Sequence, residues 1–139
     1  MRILQVCAEI FPLLKTGGLA DVAGALPQAL QALGAETRVL LPGFAPILAG
    51  LAAPREVARL HPPGAIAQAS VRLVHGRLAA VGVDAYVIDA PDYYQRDGGP
   101  YADTAQQPYA DNHLRFALLG WVAAELAQGL DAAWQPDVV

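Results

Sequence analysis

The segment Lys15-Thr16-Gly17-Gly18-Leu19-Ala20-Asp21 puts a cation, two glycines and a carboxylate in close succession. Apolar residues then recur at Leu19, Val22, Ala23, Leu26, Leu30 and Leu33, a helical spacing that stops at Gly34, so the motif opens a helix. A helix start presents unpaired N–H groups and a partial positive charge. A lysine placed there is unfavourable by itself and becomes favourable when an anion such as a diphosphate occupies the gap. Gly17 and Gly18 would let backbone approach that anion closely. Of the nine Lys and Arg residues in the chain, only Lys15 is a lysine, and a compact ammonium on a flexible stem suits a cramped phosphate position. The same residues also read as a solvated loop lysine followed by a Thr16 cap, and Asp21 as an anion stabilised beside a helix start. Residue types alone leave both readings open.

The elements around the motif set its place. Ile3-Leu4-Gln5-Val6-Cys7 has the apolar run of a strand buried on both faces, and Thr37-Arg38-Val39-Leu40-Leu41 forms a second strand ending at Pro42-Gly43. With the helix between them this is a βαβ unit. Its right-handed crossover puts the Lys15 loop at the carboxyl edge of the sheet, where open α/β sheets bind ligands. Pro27 is predicted to kink or divide the helix. A short helix is expected over Phe44–Ala53, with no firm element over Pro54–Pro63. Val71–His75 and Val83–Ile88 suit strands joined as a hairpin at Gly76 and Gly82. Ala90–Pro108 reads as a long ordered or semi-ordered loop of a functional kind. A helix follows over Tyr109–Gln128, with Leu114, Ala117, Leu118, Trp121, Val122 and Leu126 on one face. Pro136–Val139 reads as the entry to another strand, so the chain is expected to be cut short.

Composition removes several classes. The 139 residues fit one domain or a piece of one, and 55% hydrophobic with 16% charged residues describes a folded globular chain. A net charge of -4 offers no basic footprint for nucleic acid. The single cysteine, Cys7, permits neither an intrachain disulfide nor a thiolate zinc site and fits a reducing cytoplasm. No apolar stretch is long enough for a membrane span. Gly17, Gly18 and Gly24 do not fit the dinucleotide spacing, which disfavours a nicotinamide-dependent oxidoreductase, and no Gly-Lys-Ser/Thr phosphate loop occurs. His61, His75 and His113 lack ligand spacing and are expected at the surface or at an edge, and Asp137 is expected to cap or end a turn.

The run Cys7-Ala8-Glu9-Ile10-Phe11-Pro12-Leu13-Leu14-Lys15-Thr16-Gly17-Gly18-Leu19-Ala20-Asp21-Val22 resembles the N-terminal signature of bacterial glycogen synthases and plant starch synthases. Arg38-Val39-Leu40-Leu41-Pro42, Ile88-Asp89-Ala90-Pro91, Pro100-Tyr101-Ala102-Asp103-Thr104, Asp111-Asn112, Arg115-Phe116-Ala117-Leu118-Leu119 and Trp134-Gln135-Pro136-Asp137-Val138-Val139 continue it in order. The similarity is weakest from Ala45 to Ala69.

This resemblance implies an α/β, Rossmann-like fold with a mainly parallel sheet and an antiparallel hairpin. Residues 1–139 would be a partial, acceptor-side N-terminal domain of a two-domain glycosyltransferase-B protein, without the C-terminal nucleotide-binding domain. The implied activity is retaining transfer of glucose from ADP-glucose to the non-reducing end of an α-1,4-glucan, with no metal. Lys15 would bind the sugar nucleotide near its phosphates, the Gly17-Gly18 backbone and neighbouring Thr16 would approach the donor, and Asp21 would meet glucose hydroxyls. Glu9 and Tyr101 match cleft positions, although a solvated loop fits each of them equally. The family's His-Asp-Trp-His stretch would follow Val139, so the fragment itself is expected to be inactive. The alternative is a non-catalytic glucan- or nucleotide-binding module of the same fold.

Overall fold

The computed structural model describes residues 1–67 and 70–139. Strand β1 (Arg2–Val6), helix α1 (Gly18–Ala32) and strand β2 (Glu36–Pro42) form the expected first unit, with β1 and β2 parallel and Val6 opposite Leu40. Strand β5 (Val83–Asp89) lies parallel on the other side of β2. With β3 (Leu51–Leu60) and β4 (Val71–Leu78) the sheet has the order β1-β2-β5-β4-β3, in which β5 is the middle strand, and its residues Ala85 to Ile88 are wholly buried. Such a strand carries an almost unbroken apolar run because both of its faces are covered.

Beyond β5 the sheet turns antiparallel. Strand β4 (Val71–Leu78) returns along β5 through a tight turn in which Gly82 has φ +75, the left-handed region that favours glycine. The antiparallel arm is one strand longer than the expected hairpin. Strand β3 (Leu51–Leu60) pairs along β4, so a strand occupies most of the Pro54–Pro63 segment. Pro54 is tolerated because β3 is the sheet edge and its register shifts between Ala52 and Arg55, where a missing amide breaks no ladder bond. Helix α2 (Ala45–Ala49) is shorter than predicted, since Gly50 ends it and Leu51 enters β3.

Pro27 does not divide α1, which runs unbroken from Gly18 to Ala32. A proline leaves the carbonyl four residues earlier without its helical partner. That carbonyl belongs to Ala23, and it accepts a hydrogen bond of 3.0 Å from Gln5 Nε2 on β1. The face α1 turns to the sheet also differs from the periodic one. Ala20, Ala23 and Pro27 are buried, whereas Leu19, Val22, Leu26 and Leu33 are 53%, 59%, 42% and 85% exposed. Small residues let the helix sit close, which leaves the larger aliphatic side chains on its outer surface.

After the four-residue helix α3 (Pro91–Tyr94) and a long loop, helix α4 (Asn112–Ala127) buries Leu118, Val122 and Leu126 at successive turns. The segment after α4 is fastened to the sheet by Asp131. Its carboxylate accepts from Tyr86 Oη at 2.7 Å and lies 3.4 Å from Arg55 and 3.7 Å from Arg38. Burial pushes the Asp131 carboxyl up, and these donors with the Ala133 amide more than reverse it, holding it below its ordinary value. Arg38 also lies over the Trp134 ring at 4.6 Å. His75 departs from its expected surface place: it is half-buried on β4, with its ring 5.2 Å from that of Tyr86. Burial, then Arg38 and Arg55, lower its pKa. Val138 bridges Ile3 in parallel, and Asp137 Oδ2 accepts from the Arg2 amide at 2.7 Å, tying off the turn before that bridge.

Gly24 marks a close approach of α1 to the loop that carries the candidate motif. A Cβ there would lie 2.6 Å from the Phe11 carbonyl oxygen. Alanine normally favours a helix interior over glycine by about 1 kcal/mol, yet Gly24→Ala is expected to destabilise the fold by about 1–2 kcal/mol through overpacking. Urea unfolding midpoints check this, and a more stable variant would refute the close packing.

Candidate functional site

The loop between β1 and α1 leaves the carboxyl end of the parallel strands and folds back on itself. Ile10 and Leu14 exchange backbone hydrogen bonds of 3.1 and 2.9 Å, and the Phe11 amide donates to Ala20 O at 3.0 Å. The Phe11-Pro12 peptide is cis. This small closed loop delivers Lys15 to the first turn of α1. There Lys15 Nζ reaches Asp21 Oδ1 at 2.8 Å and Oδ2 at 2.7 Å and stands 5.8 Å from the centre of the Phe11 ring. The side chains of the pair are 45% and 51% exposed, and an exposed ion pair of this kind contributes about 0–1 kcal/mol. Lys15 is therefore held in place weakly enough to exchange its carboxylate for a more highly charged anion.

Gly17 is the cap residue of α1, with extended backbone and no side-chain cap. Thr16 does not cap the helix, because its hydroxyl is used elsewhere: Oγ1 donates to Glu9 Oε1 at 2.5 Å and its amide donates to Oε2 at 2.6 Å. A Cβ on Gly17 or Gly18 would meet nothing within 4 Å, so these two backbone units stand uncrowded on their Cα side. A ligand can approach them from that side.

Glu9 is the buried centre of the arrangement, at 2% exposure. Besides Thr16 it accepts from Tyr101 Oη at 2.5 Å. Burial alone would push the Glu9 carboxyl up; the Thr16 and Tyr101 hydroxyls and the backbone amides of Thr16 and Gly17 outweigh that and hold it below the ordinary carboxylate value. Tyr101 responds in the opposite direction, its phenol pushed well up by burial and by the Glu9 carboxylate. It stays a neutral donor. Cys7, next along the strand, is raised to about 11 by burial and is an inert thiol.

Tyr101 comes from the long loop, which is well ordered by its own bonds. Ala102 and Pro108 form an isolated bridge, and Asp103 Oδ1 accepts from the Ala105 and Gln107 amides at 2.8 and 2.9 Å. Arg96 makes a two-pronged contact to Asp111 at 2.7 and 2.6 Å and holds its carboxyl below the ordinary value. Thr16, Gly99, Pro100, Tyr101, Ala102 and Gln106 line a cleft of about 290 Å³ beside the motif.

All seven sequence candidates, Glu9, Lys15, Thr16, Gly17, Gly18, Asp21 and Tyr101, fall in this one region. For Glu9 and Tyr101 the solvated-loop reading gives way to a direct mutual hydrogen bond. Sequence reasoning missed the Lys15–Asp21 pairing and the Arg96–Asp111 clamp. It also missed Arg115, a buried guanidinium on α4 whose signal was a charge among Leu114, Leu118 and Val122.

A family model described as the starch synthase catalytic domain matches residues 2–139. The chain belongs to this family. It is 71% identical to the glycogen synthase of Leptothrix cholodnii over 140 residues, covering all of this chain and 29% of that protein. It is 62% identical to the glycogen synthase of Variovorax paradoxus, covering all of this chain and 28% of that one. The chain thus spans less than a third of the length of these relatives. Among solved structures, the catalytic domain of Starch Synthase IV from Arabidopsis thaliana, bound to ADP and acarbose, superposes with a TM-score of 0.68 at 21% identity, covering 98% of this chain and 27% of that one. That likeness confirms the α/β fold expected from the sequence.

Because Glu9 is held as a carboxylate in the folded state, the stability it supplies is present above the ordinary carboxylate value and is lost as pH falls through its lower folded value. Glu9→Gln should therefore unfold more easily at neutral pH, by about 2 kcal/mol for lost charge-assisted bonds. The gap to the parent should narrow on acidification. Urea titrations at neutral and acid pH read both effects, and a gap independent of pH would contradict the ionised state.

Proposed function

We propose that this chain is the N-terminal, acceptor-side part of a retaining glucosyltransferase that moves glucose from ADP-glucose to the non-reducing end of an α-1,4-glucan. The observation that carries the reading is the weakly held Lys15 ammonium beside the uncrowded Gly17-Gly18 backbone at the head of α1, at the carboxyl edge of the parallel strands. Family membership and the glycogen synthase relatives support it, as does the ADP and acarbose bound by the starch synthase of the same fold.

In this reaction the bond between the glucosyl anomeric carbon and the diphosphate oxygen breaks, the acceptor hydroxyl oxygen takes the carbon, and the acceptor's proton leaves with the departing diphosphate. Negative charge grows on the departing diphosphate, so cations and amide dipoles fixed at that point lower the barrier more than they strengthen ground-state binding. Lys15 would leave or share Asp21 to meet the phosphates without a metal, while the helix dipole of α1 adds to the same field. Asp21, freed in part, is placed to accept from glucose hydroxyls. The cleft beside Tyr101 would receive sugar, and Glu9 would keep both walls of it in register.

The nucleotide would be held chiefly by a C-terminal domain of the full-length protein. We place that protein in the cytoplasm, in keeping with a single buried cysteine that forms no disulfide. No helix among the described residues is long and apolar enough to cross a membrane. Nucleic acid is no partner in this reading.

In the full-length protein, Lys15→Gln is expected to lower kcat/KM for ADP-glucose by about 100-fold, the usual loss when one charge-stabilising donor is removed. Transfer of labelled glucose to glycogen measures it, and unchanged donor use would remove the phosphate role. The 139-residue chain by itself is expected not to elongate glucan from ADP-glucose, and detectable elongation in the same assay would overturn that division of labour.

A further inference from the structure

The first turn of α4 carries two side chains that grip the long loop from below. Arg115 is 1% exposed and sits over the Tyr109 ring at 4.5 Å. Its Nε donates to Tyr93 O at 2.7 Å, and one terminal nitrogen donates to Pro100 O at 2.9 Å and to Asn112 Oδ1 at 2.7 Å. Since the Asn112 oxygen accepts from Arg115, its amide nitrogen is turned the other way, where Nδ2 donates to Tyr101 O at 2.9 Å. The carbonyls of Pro100 and Tyr101 are therefore both held from α4. They are the two peptide oxygens on either side of the Tyr101 side chain, and fixing them fixes the point and direction from which its ring leaves the backbone.

We infer that Asn112 and Arg115 are positioning residues for the sugar-nucleotide site, aiming the Tyr101 hydroxyl at Glu9 and through Glu9 setting the Thr16-Gly17 turn at the head of α1. Both bond to the backbone of the cleft wall at Pro100 and Tyr101, and neither is hydrogen-bonded to the Lys15–Asp21 segment. The route runs from α4 to the Tyr101 backbone, from the Tyr101 hydroxyl to Glu9 Oε1, and from Glu9 to the Thr16 amide and hydroxyl. Each link is a hydrogen bond of 2.5–2.9 Å between groups that have at most small freedom once the previous link is made. Precise placement matters because displacement of a reacting centre by about 1 Å costs rate steeply. This inference rests on the reading of the Lys15 cleft given above.

Asn112→Asp separates positioning from folding. The carboxylate keeps an acceptor for Arg115 and adds a favourable anion at a helix N-terminus, while it loses the donor to Tyr101 O and repels that oxygen. In the full-length enzyme, Asn112→Asp should retain the parental Tm and lower kcat by about 5–10-fold, one lost hydrogen bond with added repulsion. Tyr101→Phe should lower kcat as well. The double variant should be no slower than Tyr101→Phe alone, because both changes break one route. Parental kcat in Asn112→Asp with an impaired Tyr101→Phe, or effects that multiply in the double variant, would overturn the inference and leave the site intact. Should Lys15→Gln and Tyr101→Phe both turn over like the parent, the site reading itself falls. If Asn112→Asp loses Tm, Asn112→Ala measured against Tyr101→Phe in the same cycle decides the coupling.

Discussion

A carboxylate buried in the loop just beyond the first strand organises this molecule. Glu9 has almost no access to water, and an ion in that position survives only if its oxygens are filled by donors. Three of those donors come from chain segments far apart in sequence or turned back on themselves: the Thr16 amide, the Thr16 hydroxyl and the Tyr101 phenol. Satisfying one charge therefore draws the loop before α1 and the long loop before α4 to a single point. The cleft is the space that remains between them.

The parts around this point divide the labour by stiffness. The central strands β2 and β5 are buried on both faces and give a rigid floor, whereas Lys15 and Asp21 stand half in water and pair with each other beside the Phe11 ring. A charged ligand meets a cation that is presented but not committed. Large groups of the interior, such as Arg115 and Asp131, hold backbone and aromatic partners, and Arg115 meets the cleft only from behind, through the Pro100 carbonyl of its wall.

How far the sequence foretold this depends on the kind of signal. The βαβ unit, the placement of Lys15 and the long α4 were legible because apolar periodicity and the glycines report backbone geometry directly. Strand β3 was not, since Pro54 and the charges Arg55, Glu56 and Arg59 are what an edge strand needs and also what a loop contains. The buried face of α1 was misread in part for a related reason: periodicity placed the bulky Leu19, Val22 and Leu26 beside Ala23, while close packing buried only Ala23 of these, with Ala20 and Pro27. The Lys15–Asp21 and Glu9–Tyr101 partnerships lie beyond any one-dimensional pattern, the second joining residues 92 positions apart.

The proline in the middle of α1 has an effect of its own. By withholding an amide, Pro27 frees the Ala23 oxygen for the side chain of Gln5, so a cross-link joins the helix to the strand at a fixed height. Sliding α1 along its axis, or turning it like a screw, would break that tie before any surface contact changed. The ammonium and carboxylate at its head thus inherit their coordinates from the sheet, and the missing hydrogen bond of one residue becomes the anchor for the charge pair two turns away.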